Sequence, residues 1–221
     1  MMPLPNADPI SLFLVMVAMA VLPFAAMVVT SYTKIAVVLG LLRNAIGVQQ
    51  VPPNMVLNGI ALIVSCYVMA PVLMEASDHI QLASSSATAP SNAQQIIGAA
   101  DAAREPFRRF LDKHANANEK AFFLKSAAAV WPPERAQQLK KDDLLVLAPA
   151  FLLTELAAAF RIGFLLYLVF IVIDLVIANV LLAMGLSQVT PTNVAIPFKL
   201  LLFVVLDGWS KLIHGLVLTY R

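Results

Sequence analysis

The sequence predicts an all-α integral membrane protein, and three observations support this fold class: a hydrophobic composition, long apolar segments and unevenly placed charges. Of 221 residues, 60% are hydrophobic and 13% are charged, about half the charged fraction usual in soluble proteins. Seventeen of the 28 formal charges fall within residues 76–143. The chain therefore divides into a membrane region 1–75 made of helical hairpins, a polar and mainly helical soluble insert 76–143, and a second membrane region 144–221.

The first membrane region contains three predicted apolar helices. Residues 11–29 carry no charge and measure roughly 28 Å as a helix, close to the ~30 Å hydrocarbon thickness. Residues 31–46 continue the helical pattern but include Lys34 and Arg43, and residues 55–74 form a further span. Because these two basic residues lie between the spans, the positive-inside rule puts their segment in the cytoplasm and the insert on the periplasmic side.

The insert itself shows helical patterns interrupted by turn signals. Residues 83–92 are rich in Ser, Ala and Thr and predict a flexible linker. Residues 93–114 predict a helix broken near Pro106, and residues 118–129 predict a second short helix. No group of His, Cys, Asp or Glu has the spacing of metal ligands, so neither a metal nor a cofactor is expected.

The second membrane region consists of two apolar segments, 144–184 and 194–220, joined by a turn around Gly185. A continuous helix over the first segment would be about 60 Å long, twice the bilayer thickness. It must therefore bend at 161–163 or extend beyond the membrane. The second segment is short of apolar residues and must include Asp207 to span.

Two opposite charges interrupt this C-terminal hairpin at matching depths. If the turn is centred between Leu186 and Ser187, Asp174 and Lys199 each lie 12.5 positions from it, or roughly 19 Å along a helix. A charge in lipid costs at least ~2.5–3.5 kcal/mol, so such side chains usually face protein or a water-filled path. Two interpretations stay open: a structural ion pair that lets the hairpin assemble, and a direct part in transport.

Charged residues in or beside apolar stretches are numerous in this chain. They are Lys34, Arg43, Glu155, Arg161, Asp174, Lys199 and Asp207. A monomer that faces lipid on all sides would accommodate seven such charges poorly. The sequence therefore predicts a subunit of a multi-helix membrane assembly.

Other classes of function find less support in the residues. No Gly-rich phosphate loop, metalloprotease helix or nucleophile elbow is present, so an enzyme is not expected. No basic run suggests nucleic-acid binding. The main alternative is a stand-alone small-solute or ion transporter using Asp174 and Lys199, but the chain lacks the internal repeat of many transporter folds.

Four long motifs resemble one known family. Residues 31–62, 104–114, 149–185 and 197–209 are similar to the type III secretion export-gate R subunit, the SctR/FliP family that includes the flagellar export-gate P subunit. The flagellar branch usually carries a cleaved signal peptide, whereas the N-terminus here lacks the positively charged start of one. This difference favours the virulence or symbiosis injectisome branch.

The resemblance implies a bacterial inner-membrane, multi-pass protein within the secretion-system basal body. Family members form a five-copy helical ring with the S and T subunits, and the U subunit is a further expected partner. This ring, inside the surrounding basal-body rings, is the conduit for unfolded secreted proteins.

The resemblance also places a pore gasket after the long helix, at a loop that is rich in methionine in the family. The matching positions here include Met184, Gly185 and Leu186, and thioether side chains can seal around varied surfaces. The alternative is an ordinary helix-ending turn with Gly185 at its C-cap.

Overall fold

The computed structural model describes residues 9–48, 50–86 and 92–221. Within these ranges every regular element is a helix, which confirms the all-α class. In chain order the helices are α1 (Pro9–Val29), α2 (Tyr32–Ile46), α3 (Asn54–Ser86), α4 (Asn92–His114), α5 (Ala117–Val130), α6 (Pro133–Ala136), α7 (Leu144–Ala183), α8 (Pro191–Val205) and α9 (Gly208–Leu218).

Length and composition make two of the described helices, α3 and α7, candidate membrane spans. The number rises to four if two bent pairs each count as one span: the end of α1 with α2, and α8 with α9. A multi-helix membrane protein is the architecture that these helices support.

The helices form two compact units, each assembled from two separate parts of the chain. The described residues of Met1–Ser31 and Met69–Thr154 form the first unit, and those of Tyr32–Val68 and Glu155–Arg221 form the second. This division follows packing. The predicted three-part division, with its soluble insert at 76–143, concerns position relative to the membrane and stays a prediction.

In the first unit, α4 packs its apolar face against the start of α7. Pro106 and Phe110 are one helical turn apart and both are buried, as residues at i and i+4 share a helix face. The ring centroids of Phe110 and Phe151 lie 5.6 Å apart, a distance typical of stabilising aromatic pairs. Helix α5 begins soon after Phe110 in the chain. The Asn116 side chain caps it by accepting a hydrogen bond from the Asn118 N–H at 2.8 Å.

The polar face of α4 carries an ion-pair network. Arg108 donates to both carboxylate oxygens of Glu105, at 2.7 and 2.8 Å, and to Asp142 at 2.8 Å. Arg109 pairs with Glu75. The hydrogen bonds from Arg108 hold the pKa of the Glu105 carboxyl below its ordinary range; desolvation opposes this shift, and the positive charge of Arg108 adds to it.

In the second unit, α2 is the central helix. Ile35, Val38, Leu39 and Leu42 are fully buried, and their spacing of three, one and three positions forms a single apolar stripe. The buried residues that pack with this part of α2 come from three other helices: Leu57 and Ala61 of α3, Ala159 of α7 and Leu216 of α9. The charged residues on α2 thus belong to a helix that is packed by protein along one whole face.

Several helix bounds differ from the predicted ones. The predicted helix 55–74 continues as α3 to Ser86, because the apolar pattern ends near Glu75 while the following residues still permit a helix. The predicted break at Pro106 is wrong: α4 runs through it, and this proline lies in the buried face. The predicted linker 83–92 is wrong at its ends, since residues 83–86 belong to α3 and Asn92 begins α4; residues 87–91 lie outside the described residues.

The C-terminal helices also depart from the sequence interpretation. Helix α7 is continuous over 40 residues, so of the two alternatives the bend at 161–163 is absent, and extension beyond the membrane stays a prediction. Gly163 instead lies close to α2: a Cβ there would lie 3.1 Å from Leu41 Cβ and closer still to Leu41 Cδ1. The segment 194–220 is not one helix. Asp207 adopts a left-handed φ of 53°, and α9 leaves α8 at an angle of 63°.

Candidate functional site: charged contacts and the turn after the long helix

A buried cluster of Lys34, Glu155 and Tyr220 joins three parts of the second unit. Lys34 Nζ lies 3.0 Å from Glu155 Oε1, and the two side chains are only 5% and 4% exposed. The same ammonium lies 3.7 Å from the centroid of the Tyr220 ring, within cation–π range. The Tyr220 hydroxyl donates a hydrogen bond to the other carboxylate oxygen, Glu155 Oε2. Each charged group in this cluster therefore has a partner.

The sequence singled out Lys34 and Glu155 but did not pair them, and it missed Tyr220. A signal for the lysine existed, because Lys34 is four positions before the buried Val38 and so lies on the packed face of α2. Glu155 stands in the same relation to the buried Ala159 on α7. Helical spacing could thus have indicated two inward-facing charges, although it carries no information about which charge meets which.

Asp174 and Lys199 lie in contact, as their equal distance from the turn predicts. Lys199 Nζ is 2.6 Å from Asp174 Oδ2 and also donates to the Ala45 carbonyl at 3.2 Å. This carbonyl belongs to the last turn of α2, where a cation is favoured by the helix dipole. The Lys199 side chain is 6% exposed and that of Asp174 is 44% exposed. The lysine thus links α2, α7 and α8, while the carboxylate keeps one side open.

The remaining three predicted charges have different surroundings. Arg43 donates to the Pro52 carbonyl at 3.2 Å and to Asn54 Oδ1 at 2.6 Å, so it fastens the loop between α2 and α3. Arg161 and Asp207 are exposed on this single chain. Their burial against other subunits stays a prediction.

The turn after α7 closes the helix and presents apolar side chains. The Gly185 N–H donates to the Leu182 carbonyl, and the Leu186 N–H donates to the Leu181 carbonyl, both at 3.0 Å. With Gly185 at a φ of +71°, this is the Schellman pattern of a helix C-terminus. Met184 is 61% exposed and Leu186 is 41% exposed. The C-cap interpretation and the gasket interpretation are therefore compatible in one chain: the glycine ends the helix, and its two apolar neighbours are left uncovered.

The charged contacts link helices of the second unit, and backbone hydrogen bonds close the turn after α7. Among the described residues, no three His, Cys, Asp or Glu side chains are grouped so that they could hold a metal ion. The fold and these contacts define a class of protein: an all-helical membrane protein whose apolar helices carry paired charges.

Comparison with known proteins shows which family the chain resembles. Residues 15–216 match the FliP family. The chain is 72% identical over 218 residues to the "Hypersensitivity response secretion protein HrcR" of Ralstonia nicotianae, covering 98% of this chain and 99% of the relative. It is 49% identical over 213 residues to the "Yop proteins translocation protein R" of Yersinia pestis, covering 96% and 97%. It is 39% identical over 222 residues to the "Virulence protein YscR" of Salmonella typhimurium, covering 99% and 100%.

The chain belongs to the FliP family. It is accordingly a component of the type III secretion export apparatus and not an enzyme, and the stand-alone transporter alternative is set aside. The resemblance seen in the four sequence motifs is confirmed at this level. Assembly with other secretion components follows from membership of the apparatus.

Proposed function

We propose that this chain is a core, pore-forming subunit of the type III export gate in the bacterial inner membrane. Five copies form a helical ring with the S and T subunits, adjoin the U subunit, and sit within the basal-body rings. The ring surrounds the path of unfolded secreted proteins. Met184, Gly185 and Leu186 of each copy contribute to the seal of the closed path.

The observation that carries the proposal is the length and apolar surface of α7. Its 40 residues span about 60 Å, while the hydrocarbon layer is about 30 Å thick. Large exposed hydrophobic residues nevertheless occur from Leu145 near its start to Leu182 near its end. Lipid can cover about half of this helix, so the rest of its apolar surface needs protein partners, since large exposed apolar patches mark interaction sites.

The paired charges support the same proposal. Charges within apolar helices are tolerated where they face protein and have partners, and Lys34, Glu155 and Lys199 are buried and paired. Asp174 remains 44% exposed beside its lysine, which leaves its other side for a neighbouring subunit.

Native mass spectrometry of the detergent-extracted complex tests the assembly. The wild-type chain, expressed with its apparatus neighbours, should give a complex with five copies of this chain that gains the further membrane subunits. Asp174→Ala and Lys199→Ala should each lower the yield, because each leaves one charge of the pair without its partner. Lys113→Ala, which removes an exposed charge of α4, is the matched control and should assemble normally.

Two outcomes would contradict different parts of this proposal. A wild-type monomer or dimer that ignores its neighbours would overturn the five-copy ring. Normal yields from both Asp174→Ala and Lys199→Ala would show that this ion pair is dispensable for assembly, whatever the copy number.

A further inference from the structure

An apolar groove lies within the second unit, where α7, α8 and α9 meet. Its volume is about 510 Å³, and its walls include Leu166 and Val169 of α7 and Phe203 of α8. Leu212 and Leu216 line it from α9. This volume is within the range of ~300–1,000 Å³ that small-molecule sites occupy.

The geometry of α9 creates the groove. The left-handed residue Asp207 turns the chain by 63°, so α9 diverges from α8 after a close approach at its first residue. At Gly208, a Cβ would collide with the ring of Phe203. At Gly215, two helical turns later, a Cβ would meet nothing within 4 Å. The groove is therefore tight at one end of α9 and open near the other.

The shape and chemistry of this groove limit the kinds of molecule that can bind in it. A helix with its side chains is about 10–12 Å wide and cannot enter a space of this volume as a whole. An extended peptide would bring backbone N–H and C=O groups that an apolar wall cannot satisfy. A hydrocarbon chain has neither difficulty, because it is narrow and has no polar groups to satisfy.

The groove has one positively charged side chain in its lining. Lys211 lines it, is exposed, and takes part in none of the ion pairs found among the described residues. The other polar lining residue, Thr219, already donates its hydroxyl to the Leu216 carbonyl. Trp209 precedes the lysine on the same short helix. Tryptophan and lysine together on an amphipathic helix are typical of the membrane interface, where lysine attracts anionic headgroups.

From these observations we infer that the groove holds one acyl chain of an anionic phospholipid, with the lipid phosphate against the Lys211 ammonium. The apolar walls of α7, α8 and α9 take the chain, and the lysine selects the headgroup. The bound lipid covers apolar surface that this chain leaves open between its own helices.

Two variants test the contributions of the acyl chain and of the headgroup to binding separately. Gly215→Leu places a side chain into the open part of the groove, and it should not weaken α9 because leucine is a better helix former than glycine. Lys211→Gln removes the charge and retains a polar side chain. Gly59→Leu on α3 is the matched control, since a Cβ at Gly59 also meets nothing within 4 Å and Gly59 does not line the groove.

The measurement is native mass spectrometry of the full chain released from nanodiscs that contain equal amounts of dioleoylphosphatidylglycerol and dioleoylphosphatidylcholine. Wild type and Gly59→Leu should retain one phospholipid per chain, mostly the anionic one. Gly215→Leu should reduce the retained fraction about tenfold or more. Lys211→Gln should retain lipid but lose the preference for phosphatidylglycerol.

The inference is overturned if all four proteins retain the two lipids alike. It is also overturned if Gly215→Leu leaves lipid retention unchanged and instead reduces association between copies, because the groove would then receive side chains of a second copy. Circular dichroism of each variant establishes that its helix content equals that of the wild type before either outcome is assigned.

Discussion

At the scale of single residues, the buried Lys34 depends on the two side chains that contact it. The ammonium is 3.0 Å from a Glu155 oxygen and beneath the Tyr220 ring, and these groups come from α2, from α7 and from the residues after α9. Such a pair need not add stability relative to an apolar core, because both charges have been removed from water. Losing one charge of the pair is costly, however, since it leaves the other charge buried without an opposite charge beside it.

We expect Lys34→Met to lower the free energy of unfolding by about 3–5 kcal/mol, measured by denaturant titration in mixed micelles. The double variant Lys34→Met/Glu155→Leu should regain most of that loss, because neither charge is then left buried. Lys120→Met is the control: its pair with Asp112 is 19% and 50% exposed, so its loss should cost about 1 kcal/mol or less. If Lys34→Met and the control lose the same free energy of unfolding, then leaving the Glu155 charge buried has no added cost.

Glu105 provides a residue-scale prediction about pH. Because Arg108 lowers the pKa of this carboxyl in the folded chain, its ionised form contributes stability above the pKa of the unfolded chain. That contribution is lost as the pH falls through the lower, folded pKa. We expect Glu105→Gln to reduce the melting temperature near neutral pH and to reduce it less in acid.

Melting curves from about pH 7 to about pH 3 provide this measurement. Glu134→Gln is the matched control, since Glu134 is exposed and makes no ion pair among the described residues. A Glu105→Gln deficit that is the same at every pH would show that the glutamate stabilises the unit by packing and not by its charge.

At the scale of helices, the long helix α7 depends on a glycine for its contact with α2. The sequence left two alternatives, a bend at 161–163 or a helix that extends beyond the membrane, and the structure has a continuous helix with α2 packed closely at Gly163. In a sequence, a glycine within a helix can indicate either a flexible point or a close approach by another helix. Only the packing of the neighbouring helix shows which of the two applies.

Gly163→Ala is expected to destabilise the second unit by about 1–3 kcal/mol, because the added Cβ would overlap the Leu41 side chain and force it to shift. Gly59→Ala should have the opposite sign, since its Cβ has open space and alanine favours a helix by ~0.8–1.0 kcal/mol. Denaturant titration of both variants gives the comparison. A stabilised Gly163→Ala chain would show that α2 and α7 are not in close contact there.

At the scale of the whole molecule, the seal that we propose at the turn after α7 requires more than one copy of the chain. Met184 and Leu186 are exposed apolar side chains on a well-closed helix end. One copy cannot form a seal from two side chains, but the proposed ring of copies would bring several flexible thioethers and leucines together.

We expect the double variant Met184→Gly/Leu186→Gly to leak small ions in cells that express the assembled apparatus, because the apolar constriction is lost. Ion permeability is measured against Ser187→Gly/Gln188→Gly, which makes the same change at two polar positions of the same turn. The control should stay closed. Unchanged permeability in the first variant, with normal assembly, would count against the gasket.

Much of this protein could be predicted from short stretches of its sequence. The all-α membrane class follows from apolar composition and helical spacing, which are properties of single helices. The contact of Asp174 with Lys199 follows from counting positions on either side of one turn, because the rise per residue is constant and the two residues are only 25 positions apart. The four motifs carried the family resemblance.

The tertiary structure decided the contacts between distant parts of the chain. Lys34 meets a glutamate 121 positions away, and this glutamate meets Tyr220 a further 65 positions on. The bend at Asp207, and the groove beside it, likewise depend on how α9 packs. The physical reason is that helical periodicity fixes the face and the depth of a side chain on its own helix, whereas its partner depends on which helices pack together.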